Sequence, residues 1–325
     1  MSPTMPIFGT GTRLLVIAPH PDDETIACGG LLQEVARRGG RSRVLFATDG
    51  DNNPWPQRLI ERRIRLDAQA RRRWGALRRG EAASALDALH CDGLDGMHLG
   101  WPDGGLTDLL TPERSGEALA TLADAIAGFA PTLVLVPAFG DYHPDHSALA
   151  LLATLALRRF LGIPAGSFHI HVPQAGIDCD WSLQLDDAML ARKRDALGSY
   201  RSQLQFGRQR LLKFARAIEL FDGGTGVPDA IAADDRWRWR IALPGRFASM
   251  SARQLHVLAV GESGVLLNQR IPLSDRRLES KRTSGALAVS MKPLIANAHQ
   301  VFAKIEHDFE VFVYDITLWT AAESR

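Results

Sequence analysis

Sulfur is scarce in this chain: its three cysteines, Cys28, Cys91 and Cys179, stand far apart, and no C-x-x-C pair occurs. That argues against a disulfide framework and a thiolate zinc site, and makes a reducing cytoplasm the expected setting. A charge excess is missing too. The 38 basic and 37 acidic residues leave a net charge of +1, so no overall field selects nucleic acid or membrane. The longest apolar stretch, residues 148–157, is broken by Thr154 and falls well short of the ~20 residues of a membrane-spanning helix. The first twelve residues have neither a basic segment nor an apolar one, so a secretory leader is not expected. There is no internal repeat and no low-complexity tract.

What is present is a two-part rhythm. At 325 residues the chain is long enough for two domains. Leu14-Leu15-Val16-Ile17-Ala18 reads as a strand buried on both faces and breaks at Pro19. A helix over about 25–38 stops at Gly39-Gly40, and Val44-Leu45-Phe46-Ala47 is the next strand. Helices are expected over 57–74 and 80–89, and a short strand at 97–99. A helix over 115–129 then leads to strand 132–136, helix 147–160 and strand 168–172. This alternation predicts an α/β fold, a Rossmann-like, mainly parallel sheet with flanking helices. Past about Gly223 the helices give out. Segments 237–243, 254–260, 286–291 and 309–318 read as short strands, which predicts an antiparallel β-rich module at 229–325. It would join a first domain, 1–224, through the flexible Gly223-Gly224-Thr225-Gly226. Such a module should be removable without loss of the site.

The chemistry sits just beyond the two most apolar strands. The first runs into Pro19-His20-Pro21-Asp22-Asp23-Glu24, the second into Asp141-Tyr142-His143-Pro144-Asp145-His146. In an open parallel sheet, ligands bind beyond the carboxyl ends of strands near a switch in strand order, so the two clusters can face each other. Imidazole and carboxylate suit zinc, and three protein ligands leave a fourth position open. Capping of the following helices by Asp23 or Ser147 is the plainer reading. Two clusters that each carry both ligand types favour a metal site. In the first cluster one carboxylate can bind metal while the other takes the proton of a water that zinc acidifies to a pKa of ~7. In the second, one imidazole can ligate while the other donates to a developing oxyanion, with Asp145 fixing an imidazole's orientation.

The pair His-Pro-Asp-Asp-Glu and His-Pro-Asp-His resembles the LmbE-like (PIG-L) family of zinc-dependent N-acetylglucosaminyl deacetylases. Arg78-Arg79-Gly80-Glu81, His98-Leu99-Gly100-Trp101-Pro102-Asp103 and Lys193 through Tyr200-Arg201-Ser202-Gln203 are similar to further family segments. The likeness covers about residues 13–222. It implies removal of an acetyl group from an N-acetylated sugar or glycoconjugate, with one Zn2+ per chain held by His20, Asp23 and His146. It also implies Asp22 as general base, His143 as electrophile or acid beside the oxyanion with Asp145 in support, and Arg78 and Asp103 as substrate contacts. In one departure, the position two residues before His143, where some members carry tyrosine, is Asp141, and Tyr142 follows it. The alternatives are another sugar-linked amide or ester as substrate, or a non-catalytic binding protein. A degenerate member should have lost a ligand or the base, and here all remain.

Other residues have plainer readings. The arginines from Arg58 to Arg79 are interleaved with Glu61, Asp67 and Glu81 and have no aromatic ladder, so a solvated helix face is expected rather than a nucleic-acid site. Trp55 could stack on a sugar or pack its loop. His169 and His171 are expected on one face of a strand in a structural role, Cys28 as a small buried hydrophobe, and Trp237 with Trp239 in the core of the β module.

Overall fold

The computed structural model describes residues 5–160, 162–172, 179–228, 235–243, 254–306, 314–315 and 317–323. Its first part is built on a seven-stranded sheet. The strands are β1 (Arg13–Ala18), β2 (Arg41–Thr48), β3 (Leu94–Trp101), β4 (Leu133–Pro137), β5 (Ala165–Phe168), β6 (Trp181–Gln184) and β7 (Ile218–Gly223). They lie in the order β3-β2-β1-β4-β5-β7-β6. The first five run parallel, and β7 pairs antiparallel with both β5 and β6. Strand order reverses between β1 and β4, so the loops after these two strands open at the switch point.

Alternation along β1 sorts its side chains between two layers. Leu14, Val16 and Ala18 join the core under α1 (Asp23–Arg37), while Leu15 and Ile17 join the opposite core. Two features differ from the sequence pattern on the way to β3. One helix was expected over 57–74 and a second over 80–89. Instead α2 (Pro54–Glu61) stops at Arg62, whose φ of 51° is left-handed, and α3 (Ala68–Ala88) starts at a new cap, Asp67, which accepts from the Ala70 amide at 2.7 Å. Gly75 lies inside α3. A Cβ there would stand 3.1 Å from the Asp49 Cβ, so its small size lets α3 approach the loop after β2 closely.

After α4 (Pro112–Phe129) and β4, α5 (Pro144–Leu157) begins three residues before the expected Ser147. Proline is suited to the first helical position. This start brings His146 into the first turn and leaves His143 at the cap. β5 ends at Phe168, so residues 169–172 are not the expected strand. Helices α6 (Asp187–Gly198) and α7 (Arg201–Leu212) lead into β7.

The remaining chain forms two antiparallel sheets. One holds β8 (Trp237–Ala242), β11 (Glu279–Thr283) and β12 (Ala286–Met291), the other β9 (Gln254–Val260), β10 (Val265–Pro272), β13 (Gln300–Glu306) and β14 (Thr320–Ala321). Trp237 and Trp239 are buried in the core of this β-rich part. Of the strand expected at 309–318, residues 309–313 and 316 lie outside the described residues, and 314, 315, 317 and 318 are not in a strand.

This β-rich part packs directly on the first. Leu258, Val260, Val265, Phe302 and Trp319 share one apolar cluster with side chains of α4 and α5, and the Phe139 and Phe302 rings meet at 5.0 Å. Polar contacts cross as well: Asn268 Nδ2 donates to the Thr107 and Leu110 carbonyls at 3.1 and 2.8 Å, and Arg158 Nη2 to Gln300 Oε1 at 2.6 Å. Around the expected hinge, the Gly224 amide donates to the Ala165 carbonyl at 2.7 Å and the Thr225 hydroxyl lies 2.7 Å from that of Thr154.

Candidate functional site

Both motif loops converge where β1 and β4 end. Asp22 caps α1 with φ at 119°, a conformation that side-chain-bearing residues rarely adopt. It is held there by its own backbone bonds: its carbonyl accepts from the Ile26 amide at 2.9 Å and its amide donates to Glu24 Oε2 at 3.0 Å. Strain of this kind collects at functional positions because the surroundings must pay for it. The turn separates two neighbouring carboxylates. Asp23 faces His20 and His146, with Oδ2 3.1 Å from His20 Nδ1 and 3.3 Å from His146 Nε2. Asp22 faces Arg78 Nη2, at 3.4 Å. Burial raises the Asp22 pKa to about 7 against the opposing pull of the Arg78 guanidinium.

His20, Asp23 and His146 each place one ligand atom within 4.8 Å of the other two. His146 is fully buried, yet neither ring nitrogen has a well-directed hydrogen bond; the carboxylates of Asp23 and Asp141 stand 3.3 Å away in ionic rather than hydrogen-bonding geometry. Burial disfavours its charged form, but these two carboxylates outweigh burial and raise its pKa to about 9. A buried imidazole with an unsatisfied nitrogen beside a carboxylate and a second imidazole fits a divalent cation. The donor set, two nitrogens and a carboxylate oxygen, suits zinc chemistry.

His143 differs. Its Nδ1 accepts from the Asp145 amide at 3.2 Å. Burial, followed by the neighbouring His20 and His146, holds its pKa well below the usual value. The ring is therefore neutral, and with Nδ1 accepting, its proton sits on Nε2. Asp145 is fully buried, accepts from the Gly104 and Leu106 amides at 2.7 and 3.0 Å, and lies 3.3 Å from His20 Nε2. Its carboxylate thus fastens the loop after β3 to His20, while only its amide touches His143. Asp103 reaches the same histidine, with Oδ1 3.2 Å from His20 Nε2, and its Oδ2 accepts from the Asn52 amide at 2.6 Å. Arg78 is 3 % exposed and donates through Nη2 to the Pro21 carbonyl, while Nε and Nη1 have no hydrogen-bond partner.

Two residues with plainer sequence readings, or none, belong to the cluster. Asp141 accepts from the amides of His143, Ile170 and His171 and lies against His146 Nδ1. Burial opposes its charge, but His146 and these bonds hold its pKa well below the usual carboxylate range. His171 was expected to share a strand face with His169. Because β5 stops early the two diverge: His169 Nε2 lies 2.6 Å from Asp222, whereas the His171 ring packs 4.7 Å from that of His146. Burial first, then the His146 charge, lowers the His171 pKa to about 4. Only the run of acidic and imidazole residues at 141–146 hinted at this shell.

The weaker motif segments meet behind the site. The Ser202 amide and hydroxyl donate to Glu81 at 2.7 and 2.6 Å. The buried Tyr200 hydroxyl donates to Glu24 at 2.5 Å, and Lys193 pairs with Glu219 at 2.6 Å. They brace α1 and α3, the helices that carry Asp22, Asp23 and Arg78. Cys28 is buried in α1, as expected.

A mainly parallel sheet with His/Asp clusters at its switch point defines an α/β protein with a candidate metal-binding site. Residues 15–157 match the family described as PIG-L, GlcNAc-PI de-N-acetylase. It is 34 % identical over 163 residues to a 1D-myo-inositol 2-acetamido-2-deoxy-alpha-D-glucopyranoside deacetylase of Mycobacterium sp. (strain KMS), covering 45 % of this chain and 50 % of that one. The match to the same-named enzyme of Corynebacterium glutamicum (strain R) is 26 % over 227 residues, covering 60 % and 76 %. The aligned part thus spans about half the length of the mycobacterial relative. Among solved structures, the N,N'-diacetylchitobiose deacetylase of Pyrococcus horikoshii has a TM-score of 0.50 at 20 % identity, over 66 % of this chain and 84 % of that one. The 4-carboxy-2-hydroxymuconate hydratase of Pseudomonas putida KT2440 also scores 0.50, at 21 % identity over 63 % and 82 %. These two show the shared fold, and their differing reactions leave the chemistry to the site. No helix among the described residues is long and apolar enough to cross a membrane.

Proposed function

We propose that this protein is a zinc-dependent hydrolase that removes the acetyl group from an N-acetylated sugar or glycoconjugate. Residues 1–224 would carry the reaction and 229–325 act as an accessory β-rich module. The observation that carries the reading is His146, buried with both ring nitrogens unsatisfied between two carboxylates and beside His20. His20, Asp23 and His146 hold the metal. Bound there, zinc supplies an acidified water and polarises a carbonyl oxygen.

Asp22 is the base, kept off the metal by the turn at its own backbone and kept near neutral pKa by burial. It takes up a proton from the attacking water and returns one to the amine as the C–N bond breaks. Arg78 orients Asp22 through the 3.4 Å contact and borders the substrate beside it. His143, neutral and protonated on Nε2, donates to the oxygen that gains charge in the transition state. Asp145 fixes the His143 tautomer through its amide, and Asp103 holds His20 and borders the substrate.

Assaying the metal-loaded protein with a panel of N-acetylated sugar conjugates tests the reading: free amine and acetate should appear in equal amounts. Turnover of sugar esters or longer acyl amides alone would replace it with another hydrolysis. His20→Ala and His146→Ala should each lose the bound metal, about one equivalent by elemental analysis; two variants that keep it would overturn the ligand set. His143→Ala should lower kcat more than it raises KM, because its donation strengthens only as charge develops. An effect confined to KM would make it a binding residue.

A further inference from the structure

The candidate reaction centre is lined unevenly. On the side of β1 and β2 it is polar and charged, with Asp22, Arg78 and Asp103. On the side of β4 and β5 stand the rings of His143 and His171, and a third ring lies against both: Tyr314, from the far end of the chain. Its centroid is 5.9 Å from that of His143, nearly perpendicular at 84°, and 5.2 Å from that of His171. The residue is 37 % exposed, so it is not sealed inside the protein.

The position is fastened from two directions. The next residue, Asp315, donates its amide to the Tyr142 carbonyl at 2.9 Å, tying the tail to the His143 loop. Its carboxylate meets Lys304 Nζ at 2.7 Å. Lys304 is 1 % exposed, lies 4.8 Å from the Trp319 ring and pairs with Glu306 at 3.2 Å. Glu306 meets the fully buried His256, whose Nε2 lies 2.5 Å from Asn268 Oδ1, and Asn268 holds the carbonyls of Thr107 and Leu110. An unbroken polar chain therefore runs from the loop after β3, through β10, β9 and β13, to the residue beside Tyr314. Breaking a link would leave a buried polar or charged group short of a partner, which is costly.

We infer that Tyr314 is a substrate-positioning residue lent to the site by the β-rich module. Its ring forms the apolar wall against which one face of the sugar packs while the amide reaches the metal ligands. An aromatic face suits the C–H face of a pyranose, and rigid rings order substrate at little entropic cost. Trp55, the other candidate aromatic, carries the Arg58 guanidinium 5.2 Å from its own ring centroid. The inference rests on the deacetylase reading for the identity of the substrate, but not for the placement of the ring.

The test has two arms on the full-length, metal-loaded protein. In the first, histidine ring protons are followed by NMR in the wild type and in Tyr314→Ala. The His143 and His171 signals should shift while metal content stays the same; unshifted signals would overturn the placement. In the second, Tyr314→Ala should raise KM for a small N-acetylated sugar about tenfold with kcat within about twofold, and Tyr314→Phe should restore the wild-type KM. Unchanged KM in Tyr314→Ala, or no recovery in Tyr314→Phe, would overturn the ring-wall role. If the wild type releases no acetate from any sugar, the deacetylase reading fails separately. The wall is then read by calorimetric titration with N-acetylglucosamine, where equal affinity in wild type and Tyr314→Ala overturns it.

Discussion

Asp22→Asn is expected to keep its metal and lose most of its turnover, by about 10²–10⁴-fold in kcat. Asp23→Asn is expected to lose the metal instead. The contrast is sharp because the two carboxylates are neighbours in sequence and nearly equal in chemistry. What separates them is the backbone at Asp22, whose φ of 119° turns its side chain toward Arg78 while Asp23 faces His20 and His146. Asparagine is nearly the same size and tolerates positive φ, so the turn should survive the substitution. The amide cannot take up a proton. Elemental analysis and initial rates on the same preparations decide the matter. Equal metal loss in both variants would merge ligand and base, and full activity in Asp22→Asn would move the base elsewhere.

The frame of the site was legible because its signals are local. Apolar runs ending in His-Pro-Asp placed both clusters beyond strand ends, and strand alternation with helices implied a sheet on which they could meet. The exact role of each neighbour was less legible. His171 reads as a strand residue until β5 is seen to end at Phe168, whose partners are Pro137, the last residue of β4, and Phe221, far along the chain. Asp141 gives no local sign that it gathers three amides and an imidazole, since Ile170 and His171 come from another loop. Within the β-rich part, β8, β9 and β12 stood out through their apolar alternation or runs. The strand β11 did not, because Glu279–Thr283 is exposed throughout and its sequence offers no buried face. Tyr314 was invisible for a simpler reason: nothing in its neighbourhood in sequence resembles a site, and only packing of the module brings it to one.

Cutting the chain after Gly224 should give a protein that aggregates rather than a smaller active enzyme. The change of rhythm near Gly223 suggests a removable module, but α5 argues for the opposite result. Its sequence from Ser147 to Leu157 has no charged residue, and almost every position is buried. A helix that is apolar all round must be covered on all sides. The sheet covers one face; Leu258, Val260, Phe302 and Trp319 join the cluster that covers the other. Removing them would expose a contiguous apolar surface on α4 and α5, of the kind that drives association. It would also leave Arg158 without Gln300 and the Gly261 carbonyl, and the Thr107 and Leu110 carbonyls without Asn268. The loop between β3 and α4 contacts Asp145, so the disturbance would reach the metal ligands through that carboxylate. Soluble yield, size-exclusion profile and metal content of the 1–224 fragment beside the full chain are the measurements. Limited proteolysis of the intact protein should likewise not release two resistant pieces near Gly223–Gly226, since Gly224 and Thr225 are hydrogen-bonded to the α/β part. A monomeric 1–224 fragment with a full metal complement and cooperative unfolding would show instead that the helices close over their own exposed face, and that the β-rich part matters only for what Tyr314 does.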